Sequence, residues 1–206
     1  VELYKAITAR VHAEAGEAGG IRQTKAWRSM AVTPRRASWR GAVTLVFDSA
    51  GVEPDAAPAD APGIYASLVK KLGRRVEYAE LTFFGDMRYS PRGRMVRKSL
   101  ERGADTLFRS RWKMPVDVYE GPAMNHSYHE MIIGHGRCFS TILISEEQET
   151  LAAAGYTADY HQAQFLATKQ ALAERGRAVV TLSLKDLSER TLGALDEFFR
   201  QAASHA

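Results

Sequence analysis

Residues 158–199, ADYHQAQFLATKQALAERGRAVVTLSLKDLSERTLGALDEFF, decide the fold class. Phe165, Leu166, Lys169 and Leu172 recur at helical spacing and Gly176 supplies a stop, which predicts a helix over roughly 158–175. AVVTLSL (178–184) is an apolar, β-branched run of strand length. Asp186, with Glu189 three residues on, then opens a last helix through TLGALDEFF. Strand, helix, strand, helix is the order of a parallel or mixed sheet covered by helices. The expected class is therefore α/β or α+β, a mixed sheet with this C-terminal unit and helices packed on it.

Working outward, SYHEMIIGHGRCFSTILIS (127–145) reads as one long strand or a hairpin bent at GHG, and Ser145 with Gln148 as a helix start. PVDVYEG (115–121) and RRVEYAELTFF (74–84) are strand candidates, and AVTLVFD (42–48) is a buried strand. IYASLVKKLG is a short helix, and MVRKSLERGADTLFRSRW is helical in pattern with Gly103 interrupting it. Leu3, Ile7 and Val11 at i, i+4, i+8 mark an N-terminal amphipathic helix. Pro54, Pro58 and Pro62 make 49–63 a loop or linker, the best boundary in the chain. The expected division is a helix, basic arm and first strand over 1–48, the linker, and a main part over 64–206 that forms one domain with the N-terminal segment.

At 206 residues the chain is long enough for one sizeable core. No apolar run approaches the ~18–20 residues of a membrane-spanning helix, and no signal-peptide pattern is present. A lone cysteine forms no internal disulfide, which fits a reducing compartment, so a cytoplasmic location is expected. The net charge of +4 is unevenly spread: residues 1–113 hold 21 Lys and Arg against 12 Asp and Glu, and residues 114–206 hold 7 against 12. One part of the chain is thus suited to a polyanion and the other is not.

Two basic stretches carry that excess. IRQTKAWRSMAVTPRRASWRG (21–41) contains Arg28, Arg35, Arg36 and Arg40 among its cations and no acid. RYSPRGRMVRKSLERGADTLFRSRWK (88–113) contains Arg92, Arg94, Arg97 and Lys98 among nine cations. Trp27, Trp39 and Trp112, all the tryptophans of the chain, fall inside these two stretches. Cations release counterions from phosphates, and flat rings stack on unpaired bases, so these eleven residues are the expected ligand contacts. The alternative for each tryptophan is a half-buried ring beneath arginine stems. SPRGR (90–94) could hold one phosphate on its backbone amides, although it is not a Walker A loop.

NHSYHEMIIGHGRC (125–138) concentrates His126, His129, Glu130, His135 and Cys138. On a strand, His126 and Glu130 share a face as an acid–base pair and His129 points away. On a helix the three candidate catalytic residues His126, His129 and Glu130 sit together at i, i+3 and i+4, but MIIGHGRCFSTILIS favours the strand. His129 and His135 could meet across the Gly134 bend and bind a divalent metal, the one cofactor the sequence suggests. Cys138 precedes an apolar strand, which favours a buried inert thiol over a nucleophile. The alternative is that these are ordinary strand histidines.

Two partial resemblances bear on this region. Residues 160–199 look like the closing part of a phosphoglucose isomerase sugar-phosphate domain, and GPAMNHSYHEMI is loosely similar to that family's histidine-bearing segment. ELTFF, NHSYHEMII and then Tyr156 and Tyr160 resemble the rolling-circle replication nuclease order. That family separates its two histidines by one residue, however, and here two intervene. The leading functional expectation is binding of a phosphate-rich partner, most of all nucleic acid, with phosphoester chemistry as an extension. The alternatives are an acid–base enzyme on a small phosphorylated metabolite and a non-catalytic subunit of a larger assembly, with no membrane partner in any of them. Whether the chain is an enzyme is left open by its sequence.

Overall fold

The computed structural model describes residues 2–57, 59–121, 128–147 and 157–206. The chain is α/β: one mixed six-stranded sheet lies between two helical layers, with strand order β1-β2-β6-β5-β3-β4. β1 (Arg36–Trp39) and β2 (Val43–Ser49) form an antiparallel hairpin, and β2 pairs antiparallel with β6 (Ala178–Leu184). β6, β5 (Cys138–Ser145), β3 (Tyr78–Phe84) and β4 (Val116–Gly121) run parallel. The first and last thirds of the sequence therefore share one sheet. The hairpin turns on Arg40 (φ 52°) and Gly41 (φ 62°), both left-handed as a tight primed turn requires.

β5 and β6 are buried at every position, which is why both read as near-continuous apolar runs: a parallel strand covered on both faces has no solvent side. Strand parity divides the core in two. Val43, Leu45, Phe47, Phe139 and Leu143 face α3 (Ala61–Leu72), α4 (Pro91–Gly103) and α7 (Glu189–His205). Val46, Ile142, Ile144 and Val179 face α1 (Glu2–Ala18), α2 (Lys25–Val32), α5 (Tyr128–His135) and α6 (Ala158–Glu174). We call these the first and second faces.

Two local readings are corrected. Residues 128–135 form helix α5, not strand, and the strand begins at Cys138. Arg177 Nε and Nη2 donate to the Ile133 carbonyl at 2.8 and 2.5 Å, and Nη2 also donates to that of Gly134, at 3.1 Å. This satisfies the orphan carbonyls of the last turn from 44 residues away. Gly136 leaves the helix at φ 81° so close to Arg177 that a Cβ would lie 2.9 Å from the guanidinium carbon. Ser145 closes β5, and the helix start read from Ser145 and Gln148 would run into residues outside those described; α6 is capped by Thr157. Gly103 does not interrupt its helix. The chain winds on through a π-helical segment, Ala104–Trp112, which ends at left-handed Lys113.

The loop after β2 is tied down. The Asp55 amide donates to Ser67 Oγ at 2.7 Å and its carboxylate pairs with Lys71 at 2.9 Å, so this segment packs on α3. Before α7, Asp186 accepts from the Ser188 amide (2.9 Å), Ser188 Oγ (2.6 Å) and Thr191 Oγ1 (2.6 Å). These bonds hold its carboxyl at a pKa of about 2, below the ordinary 3.8. A depressed carboxylate pKa contributes stability above the unfolded value that fades as pH falls through the folded one. The stability difference between wild type and Asp186→Asn is thus expected to be full above about pH 4 and to shrink towards about pH 2. Urea unfolding of both proteins across that window checks it, and a difference independent of pH would contradict it. No helix among the described residues is long and apolar enough to cross a membrane.

Candidate functional site

Open α/β sheets take ligands beyond the carboxyl ends of their strands, where neighbouring strands connect in opposite directions. Here β3 leads through α4 on the first face to β4, and β4 leads through α5 on the second face to β5. The crevice between the carboxyl ends of β3 and β5 is thus the first place to look. The loop Gly85–Ser90 follows β3 there, and Glu120 of β4 and His161 of α6 lie near it.

The carboxylates of this crevice are already engaged. Asp86 accepts the amides of Arg88, Tyr89 and Ser90 at 2.7–2.8 Å. Burial raises its carboxyl pKa, but the bonds from Ser90, Tyr89 and Arg88 outweigh it and the net shift is downward. Glu120 accepts the Met87 amide at 2.7 Å and the Arg88 guanidinium at 3.0 and 2.5 Å. The α4 N-terminus is capped by Ser90 Oγ, which accepts from the Gly93 amide at 2.9 Å. A Cβ on Gly93 would lie 2.6 Å from the Asp86 carbonyl oxygen, so glycine is required there for the loop to close on the helix. The amides of 88, 89, 90 and 93 are therefore bonded to protein oxygens, and SPRGR is the first turn of α4 rather than an empty phosphate nest. His161, a residue the sequence reading passed over, is buried beside these groups. Burial lowers its pKa and favours the neutral ring, while Glu120 and Asp86 pull the other way.

A pocket of about 200 Å³ opens one strand further along, at the carboxyl ends of β5 and β6 on the second face. The 3₁₀ turn Ile21–Gln23 and α2 form its roof, with Arg22, Trp27 and Met30; Arg36 of β1 and Thr44 and Val46 of β2 form one wall. Ser183 and Glu146 close the other side. Parity sets this lining: Thr44 pairs with Ser183 and Val46 with Thr181 in the β2–β6 register, so their side chains share the second face. α2 is fixed over the site by Thr24, whose hydroxyl accepts the Trp27 amide at 3.3 Å. The Trp27 ring meets Phe165 edge-on at 6.2 Å, and the Arg22 guanidinium lies 5.8 Å from the ring centre. Arg36 donates to the Ala31 carbonyl. Among the described residues, neither Arg22 nor Arg36 pairs with an acidic side chain.

The other expected contacts are not gathered here. Trp39 and Trp112 are half-buried against the first-face core: Trp39 Nε1 donates to the Ala194 carbonyl at 3.1 Å, and Trp112 packs edge-on to Phe108 at 5.3 Å. Arg92, Arg94, Arg97 and Lys98 are exposed on α4, also in the first-face layer. Arg40 lies 3.8 Å from Glu197, Arg35 pairs with Glu53, and Arg28, exposed on α2, donates to Gln23. The eleven residues thus divide between two sides of the sheet, and Trp27 with Arg36 are the pair that share a pocket. Arg22 and Glu146 escaped the ligand assignment because the lining comes from three distant segments. A carboxylate one residue beyond a parallel strand was the available signal for Glu146.

The strand argument that paired His126 with Glu130 does not apply to a helix. His126 and Tyr156 lie outside the described residues, as do the side chains of His129 and Glu130. His135, exposed at the end of α5, has its ring 5.8 Å from Tyr78 and Nε2 3.7 Å from Glu77. No cluster of three or more His, Cys, Asp or Glu among the described residues could hold a metal ion. Cys138 is buried in the second-face core, and burial pushes its thiol pKa up, as an inert packing residue requires.

No family model matches the chain, and no curated protein matches it. Among solved structures it is similar to a hypothetical protein from Thermus thermophilus, at 21% identity and a TM-score of 0.53. The match covers 70% of this chain and 39% of that one, so this chain spans well under half of its structural neighbour. Likeness at that identity shows an α/β fold and nothing further.

Proposed function

We propose that the protein binds a phosphate-rich partner, single-stranded nucleic acid, anchored at the pocket beneath α2. The observation that supports this is the meeting of Arg22, Arg36 and Trp27 in one concavity at the carboxyl ends of parallel strands. Both guanidiniums are directed by neutral partners, a ring and a backbone carbonyl, and keep their charge for a phosphate. Lys25 and Arg28, exposed on the same short helix, extend the positive surface away from the pocket. At about 200 Å³ the pocket falls below the ~300–1,000 Å³ of sites that enclose whole drug-sized ligands. That size suits one base or phosphate of a longer chain better than a complete cofactor. The basic face of α4 lies across the sheet and is a separate contact in this reading.

Replacing Arg22 and Arg36 together with alanine is expected to weaken binding of a single-stranded oligonucleotide at least about tenfold. It should also flatten the salt dependence by about 0.7 for each phosphate that is no longer neutralised. Fluorescence anisotropy at several salt concentrations measures both, with circular dichroism confirming that the double variant is folded. Unchanged affinity in a folded double variant would remove the pocket from the interface.

A further inference from the structure

We infer that the pocket seats one base of the bound strand and selects it through Glu146, which accepts a hydrogen bond from an exocyclic amine of that base. This rests on the nucleic-acid reading and adds a chemical preference to it.

Glu146 is held at both ends. Its amide donates to the Leu184 carbonyl at 2.7 Å, extending the β5–β6 ladder by one residue, and its Oε1 accepts from Ser183 Oγ at 3.1 Å. The carboxylate is thereby aimed into a pocket that two arginines also line, yet it lies within ion-pair reach of neither. An ionised carboxylate has room for about four hydrogen bonds and can only accept them. One is used by Ser183, and any ligand group that approaches the rest must bring a donor.

That requirement divides the pocket. A phosphate oxygen beside Glu146 would meet like charge, so phosphate belongs on the side of Arg22 and Arg36. The Glu146 side calls for an N–H or O–H, and between them Trp27, Met30 and Val46 offer apolar walls for a flat ring. A nucleotide unit carries all three features in that order. Among the pyrimidines, cytosine presents an amine at the ring position where uracil presents a carbonyl oxygen, so a carboxylate fixed against that edge favours cytosine.

The test compares oligo-deoxycytidine and oligo-deoxyuridine decamers, which match in charge, length and ring size, binding to the wild type and to Glu146→Gln. The wild type is expected to bind the cytidine decamer about tenfold tighter, the discrimination of one good base contact. In Glu146→Gln, whose amide both donates and accepts, the two decamers are expected to bind within about twofold of each other. Equal binding of both decamers by the wild type, or a preference that survives in Glu146→Gln, overturns the inference while leaving the nucleic-acid reading standing. No binding of either decamer at low salt overturns both. Free deoxycytidine monophosphate serves as competitor to separate the two sources of such a base. Displacement comparable to that by the decamer assigns the pocket to free nucleotides, and much weaker displacement assigns it to a strand; either result keeps the amine–Glu146 contact.

Discussion

Truncation of Tyr65 to alanine is expected to destabilise the protein by about 3–5 kcal/mol, the range for removing a large buried ring that its surroundings cannot replace. Tyr65 on α3 is wholly buried at the centre of the first-face core. Its ring meets Phe139 and Phe198 edge-on at 5.4 Å, and Phe199 and Phe108 at 6.3 and 6.5 Å. Such edge-to-face pairs add about 0.5–1.5 kcal/mol each beyond area burial, so one side chain joins α3, β5, α7 and the π-helical segment. Its hydroxyl shares a 2.6 Å hydrogen bond with Thr141 Oγ1 on β5. Tyr65→Phe keeps the ring and leaves the Thr141 hydroxyl without this partner, a loss of about 1–3 kcal/mol. Urea unfolding should therefore order the proteins wild type, Tyr65→Phe, Tyr65→Ala, with the wider gap at the second step. Equal losses would mean that the hydroxyl pair, not the aromatic packing, holds this core.

The second large effect is expected at Gly103, where two opposing contributions can be weighed. In a helix, alanine is favoured over glycine by about 1 kcal/mol. Here the added methyl would lie 2.8 Å from Phe199 Cε2 and nearer still to Cδ2, and Phe199 is fully buried. Overpacking of a closed core costs about 1–3 kcal/mol, and at so short a distance the upper end applies. Gly103→Ala should thus destabilise by about 2 kcal/mol net, with α7 pushed away from the junction of α4 and the π-helical segment. Phe199→Leu in the same chain should recover part of that loss, giving a favourable coupling in a double-mutant cycle. A neutral or stabilising Gly103→Ala would show that the two helices are not in close contact there.

These two sites illustrate what the sequence made legible. A strand buried on both faces declares itself as an apolar run, so β2, β3, β5 and β6 stood out. α6 did so through Phe165, Leu166 and Leu172 ahead of Gly176, which indeed adopts φ 64°. Gly103 was visible as an anomaly, but its meaning was not. It reads as a helix breaker unless Phe199, far along the chain, is known to press against it. α5 was taken for strand in preference to helix for a similar reason. Its apolar run is short enough to be strand or helix, and the guanidinium that terminates it comes from Arg177.

The candidate site was legible in part. Composition singled out the basic, tryptophan-bearing stretches, and Trp27 and Arg36 do share a pocket. Composition carries no information on sheet faces, however, and it joined Trp27 to Trp39 and Trp112 although parity and packing set them on opposite sides. Arg22 enters the site through the packing of the 3₁₀ turn over the second face and Glu146 through the end of β5, long-range facts that no local pattern encodes.

Intrinsic tryptophan fluorescence during titration with a single-stranded oligonucleotide decides whether the strand sits beneath α2, because Trp27 lines the pocket while Trp39 and Trp112 pack on the opposite face. Binding in the pocket should give a change that weakens as salt rises, disappears in Trp27→Phe, and persists in Trp39→Phe and Trp112→Phe. A change that survives in Trp27→Phe, or an affinity indifferent to salt, would contradict binding there.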